Sequence, residues 1–107
     1  MEVNIHVREQ GNLMIIYIMG EIDTYTAPKL REKFESIKIN ESSIFELDLS
    51  KVEYMDSTGL GVMVGFYKKA KREKAKIKLV GLSTRLKRLF KITGLSELME
   101  IEVEKVE

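Results

Sequence analysis

Residues 44–67 read IFELDLSKVEYMDSTGLGVMVGFY, and a change of hydrophobic period inside them sets the fold. Phe45, Leu47 and Leu49 alternate with Glu46 and Asp48, the period of two expected of a strand with one buried face, so a strand is predicted over residues 44–49. Beyond the loop VEYMDSTGLG the spacing lengthens. From Thr58 onward Leu60, Met63, Val64 and Tyr67 recur at helical intervals, before the solvated run KKAKREK. A strand that passes through a short Asp, Ser and Gly loop into a helix opens a parallel crossover.

Downstream, Ile77 and Leu79 with their lysine neighbours give the returning strand, at 76–80. Ser83 can cap a third helix that buries Leu86, Leu89 and Phe90, and Thr93-Gly94 stops it. Ile101 and Val103 alternate with glutamates in a short last strand, at 100–104. Upstream, Val3, Ile5 and Val7 alternate with Asn4, His6 and Arg8 over a strand at 3–8. The turn Gly11-Asn12 leads into LMIIYIM, a continuous apolar strand at 13–19 that Gly20 ends, and these two strands pair as an antiparallel hairpin. Thr26 can cap a helix over 27–38, with Pro28 in its first turn and Leu30, Phe34 and Ile37 on one face.

The order β-β-α-β-α-β-α-β gives an α/β sheet of about five strands, with parallel crossovers after the hairpin. A parallel sheet covered on both faces reads as unbroken apolar runs, yet every strand except the second alternates with polar or charged residues. Helices should therefore cover mainly one face, as right-handed crossovers stepping in one direction would place them.

With 107 residues and 44% hydrophobic residues, the chain is read as one domain over 1–107 with a modest core. No apolar run is long enough to span a bilayer and MEVNIHVRE has no secretion-signal order, so a cytoplasmic protein is expected. Zero cysteines exclude disulfides and thiol chemistry, and one histidine leaves little for a transition metal. The net charge of +1 hides a segregation: Lys68 to Lys91 holds eleven basic residues against Glu73 alone, a local +10, and the rest of the chain carries −9. That segment is read either as the solvated faces of two amphipathic helices or as a field that attracts an acidic partner.

The chain has only three aspartates, Asp23, Asp48 and Asp56, beside fourteen glutamates. Asp23 and Asp56 lie in GEIDTYTAP and YMDSTGLG, loops that follow the carboxyl ends of neighbouring strands, the edge where open α/β sheets place functional groups. Asp56 and Ser57 are both good helix caps. A phosphate on Ser57 would meet the N–H groups of Gly59 and Leu60 at the positive end of the helix. Gly59-x-Gly61-x-x-x-Gly65 lacks a P-loop lysine, no acid closes strand four for a ribose, and Gly65 is read as a point of close helix–sheet packing. His6 is the lone candidate base, on a polar strand face with no G-x-S-x-G elbow, which argues against a hydrolase. No acidic pair follows the first strand, which argues against a magnesium-holding receiver, and the basic segment has no interleaved aromatics for nucleic acid.

MDSTGLGV, preceded by FELDLS and GEIDTYTAPKLREK and followed by RLKRLFKITGL, resembles the anti-anti-sigma factors of the bacterial STAS-domain family, nearly end to end and closest to the general-stress type. The resemblance implies a single STAS domain without enzymatic activity or a cofactor. In this family an unmodified antagonist binds an anti-sigma factor that is also a serine kinase, which releases the sigma factor; phosphorylation by that kinase switches binding off, and a serine phosphatase restores it. Position by position, the resemblance puts the phosphorylated serine on Ser57. It puts Asp23, Asp56, Ser57, Thr58, Gly59, Leu60 and Gly61 at the partner-binding edge. ATP and magnesium would belong to the kinase, and neither nucleic acid nor membrane is an implied partner. The other role the resemblance leaves open is that of an accessory domain that binds a small ligand or serves a transporter assembly.

Overall fold

The chain begins as a hairpin whose register is set by Gly11 at positive φ: β1 (Val3–Gln10) pairs antiparallel with β2 (Leu13–Ile22), from Val3 opposite Gly20 to Gln10 opposite Leu13. The computed structural model describes residues 2–98, without the side chain of Leu98. After β2 come α1 (Ala27–Ser36), β3 (Ile44–Met55), α2 (Ser57–Arg72), β4 (Lys76–Val80), α3 (Thr84–Ile92) and the short α4 (Leu95–Leu98). The sheet runs β1-β2-β3-β4, with β2, β3 and β4 parallel. The strand predicted at 100–104 lies outside the described residues.

The alternation argument holds. Val3, Ile16, Ile18, Phe45, Leu47, Leu49, Ile77 and Leu79 turn to one face and are buried there beneath Leu30 and Phe34 of α1, Met63 and Phe66 of α2, and Leu86 and Phe90 of α3. The rings of Phe34 and Phe66 stack at 4.3 Å, and Phe45 meets Phe66 edge-on at 5.2 Å, so one aromatic cluster ties both helices to β3. The opposite sheet face carries exposed His6, half-buried Tyr17 and the Lys78–Glu46 ion pair at 3.9 Å.

Three strands run further than periodicity predicts: β1 by two residues, to Gln10, and β2 and β3 by enough to build the edge that carries Asp23 and Asp56. Gly20 does not end β2. It takes φ +105° within the strand, where a Cβ would collide with the Glu2 carbonyl, and pairing resumes through the bond from Glu21 N to Glu2 O at 2.9 Å. In β3 the period of two breaks after Leu49: Leu49, Val52 and Met55 are buried, separated by the exposed pairs Ser50–Lys51 and Glu53–Tyr54. Register shifts between β2 and β3 absorb the extra residues, and the two strands finish side by side with Ile22 opposite Met55. Helix α1 is shorter than predicted and stops at Ser36, because Ile37 turns extended and closes the helix with its N–H on the Phe34 carbonyl.

Candidate functional site

Because β2 and β3 end together, the residues that follow them share one edge of the sheet. Asp56 N donates to the Ile22 carbonyl at 3.1 Å, which anchors the start of α2 to the end of β2. The Asp56 carboxylate then caps α2: Oδ1 accepts from Thr58 N at 2.9 Å and Gly59 N at 3.1 Å, while its backbone carbonyl takes Leu60 N at 3.0 Å. Gly59 fits so closely on the strand ends that a Cβ would come within 2.6 Å of Ile22 Cγ2 and 2.9 Å of Met55 Cγ.

This corrects one expectation. Asp56, not Ser57, is the cap, and the amides of Gly59 and Leu60 that a phosphate was expected to meet are already engaged. An aspartate one residue earlier reaches the amides of the second and third helical residues, which leaves Ser57 as the first residue of α2. Ser57 is exposed and its hydroxyl makes no hydrogen bond among the described residues. A phosphate there keeps the favourable helix dipole but projects toward solvent.

Asp23 builds the neighbouring loop by the same chemistry. Only 9% exposed, it accepts through Oδ1 from Tyr25 N at 2.9 Å and Thr26 N at 3.0 Å. Thr26 does not cap α1 with its side chain. Its hydroxyl lies 2.7 Å from the Glu21 carbonyl and accepts from Asp23 N at 2.9 Å, so it locks the loop instead. The two loops touch at Thr24 Oγ1 and Thr58 Oγ1, 3.5 Å apart.

The residues predicted for the site are thus brought together, but in different capacities. Ser57 and Gly61 are exposed, Asp56 and Thr58 half-buried, whereas Gly59 and Leu60 are buried, Leu60 at 6% exposure, and set the helix against the core. The periodic reading did not single out Glu21, Thr24, Tyr25 and Tyr54. The tight turn at Asp23 leaves Tyr25 89% exposed, and the outward pair in the extended β3 leaves Tyr54 46% exposed. Together with Glu21, Asp23, Thr24 and Asp56 they border an open depression of about 440 Å³, where Glu21 Oε1 is buried without a hydrogen-bond partner among the described residues. An aromatic standing alone in a polar loop, as Tyr25 does in GEIDTYTAP, is the signal that could have found this surface.

The edge gathers two exposed tyrosines, three carboxylates and an exposed hydroxyl on a backbone fixed by capping, the kinds of group a docking surface would use. Among the described residues no helix is long and apolar enough to cross a membrane. The family model for the STAS domain matches residues 4–106. The chain is 47% identical over 103 residues to the anti-sigma-B factor antagonist of Listeria monocytogenes, covering 95% of this chain and 90% of that one. It is 43% identical over 104 residues to the anti-sigma-B factor antagonist of Bacillus subtilis, covering 97% and 94%. Its fold also matches that of the Bacillus cell fate determinant SpoIIAA in the phosphorylated form, with a TM-score of 0.68 at 18% identity over 94% of this chain and 93% of that one.

Proposed function

The chain belongs to the STAS-domain family, and we propose that it is an anti-sigma factor antagonist working as a partner switch. The unphosphorylated form docks through the Asp23 and Asp56 loops on an anti-sigma factor that is also a serine kinase, and the sigma factor is freed. Phosphorylation of Ser57 by that kinase ends the docking, and a serine phosphatase reverses it. The likeness to anti-sigma-B factor antagonists favours a freed factor of the sigma-B type. A protein that regulates transcription in this way works in the cytoplasm.

The observation that carries this reading is the exposed Ser57 hydroxyl on a backbone already held by Asp56. A kinase can reach the hydroxyl without unfolding anything, and modification sacrifices no internal bond. The chain supplies an acceptor, and the base, nucleotide and metal are the kinase's. A phosphate brings about −1.5 to −2 charges to an edge that already holds Glu21, Asp23 and Asp56. Docking then has to desolvate that charge beside three carboxylates, which opposes the complex while leaving the fold alone.

Incubation of the chain with the anti-sigma factor kinase of the same cell and ATP, followed by peptide mass analysis, tests the reading. A single phosphate on Ser57 is expected, and none on Ser57→Ala. Phosphate on another residue, or on none, would contradict it.

A further inference from the structure

We infer that the groove between α1 and α2 continues the docking surface and receives an acidic helix of the same partner, an inference that rests on the partner-switch reading above. Ser57, Gly61, Gly65 and Lys69 stand four residues apart and so form one stripe along α2. The first three are exposed and Lys69 half-exposed, so the stripe runs uncovered from the acceptor serine down the helix. Beside it α1 and α2 leave a groove of about 260 Å³, floored by Phe34, Val62 and Phe66.

The glycines on this stripe have no internal explanation, and the close helix–sheet packing expected of Gly65 is not found, since the residue is exposed. Gly59 is required, since its Cβ would strike Ile22 and Met55, but a Cβ at Gly61 or Gly65 meets nothing within 4 Å and neither residue has positive φ. Apart from proline, glycine is the least favourable residue inside a helix, so alanine would suit the isolated chain better at both positions. What glycine provides there is close approach of another backbone, and a notch along an i±4 row is the shape a crossing helix fills.

The rim states the chemistry of that helix. Arg31 from α1 and Lys69 and Arg72 from α2 border the groove against one acid, Glu35, and none of these cations is in an ion pair among the described residues. An occupant carrying Asp or Glu beside a small apolar ridge complements them. The distance also suits: Ser57 to Lys69 spans about 18 Å along a helix, inside the roughly 28 Å width of an interface of about 800 Å² per partner. Part of the basic segment thereby becomes contact surface, while the Ser57 edge stays acidic.

Calorimetric titration of the purified anti-sigma factor of the same cell into the unphosphorylated full-length chain tests the groove. Gly65→Leu fills the notch two turns from Ser57, and the double variant Lys69→Glu with Arg72→Glu reverses the rim without touching the core. Each is expected to weaken binding at least tenfold, the charge reversal less so at high salt. Gly65→Ala is expected to raise the melting temperature by roughly 4–8 °C while weakening binding severalfold, a pairing that an internal role for the glycine does not give. If Gly65→Leu and the charge reversal both bind like wild type, the groove is not an interface and the inference fails, with the Ser57 switch unaffected. A lower melting temperature for Gly65→Ala also overturns it. If the wild-type chain itself does not bind, the partner-switch reading falls and takes the groove with it.

Discussion

Asp56 and Ser57 sit side by side and divide two tasks between them. The carboxylate of Asp56 holds two amides of α2, whereas the hydroxyl of Ser57 holds nothing among the described residues and is open to modification. Asp56→Ala should therefore cost about 1 kcal/mol for the lost cap. Ser57→Ala should stay within about 0.5 kcal/mol of wild type, as surface changes do. Thermal melts of both check this, and equal losses would put the cap back on Ser57. The sequence made the pair legible as a helix start, but aspartate and serine are both favoured caps, so composition alone does not say which one binds the amides. Tyr25 and Tyr54 escaped notice for another reason. Periodicity finds residues that face a core, and these are defined by facing away from it.

The elements were mostly legible, and where they were not, glycine conformation and bulges account for it. The hairpin, α3 with its Ser83 cap on Leu86 N at 3.1 Å, and the stop at Gly94 with φ +80° follow their local signals. The last turns of β2 and β3 do not, because Gly20 reads as a breaker and the Leu49–Val52–Met55 spacing abandons the period of two. Those turns carry Asp23 and Asp56 to a common edge, so the site depends on the part of the sheet that a periodic pattern hides. Helix α2 is held in place by Phe66, which stacks on Phe34 and meets Phe45 edge-on. Phe66→Ala is expected to destabilise the chain by about 3–5 kcal/mol. That is a large share of the roughly 5–15 kcal/mol that holds a domain of this size. A urea titration should show a lower midpoint with an unchanged slope, and a loss below 1 kcal/mol would mean that the cluster does not anchor the helix.

Over the whole molecule, charge and hydrophobicity are sorted onto separate surfaces. The helices lie on one sheet face, the acidic edge gathers at the carboxyl ends of β2 and β3, and the basic segment occupies the distal part of α2, β4 and α3. Its cations are exposed or half-exposed, so they are solvated helix and strand surface. A sequence shows the segregation as a charge count but not which edge each sign faces, since that follows from the sheet order. Under the proposed function the switch is local: charge added at Ser57 alters one edge and leaves the core untouched. Titration of the anti-sigma factor with the chain phosphorylated on Ser57, beside the unmodified chain, tests this most directly. The account predicts that the phosphorylated form binds at least a hundredfold more weakly, with its circular dichroism spectrum and melting temperature those of the unmodified protein; undiminished binding, or binding lost together with the fold, would contradict it.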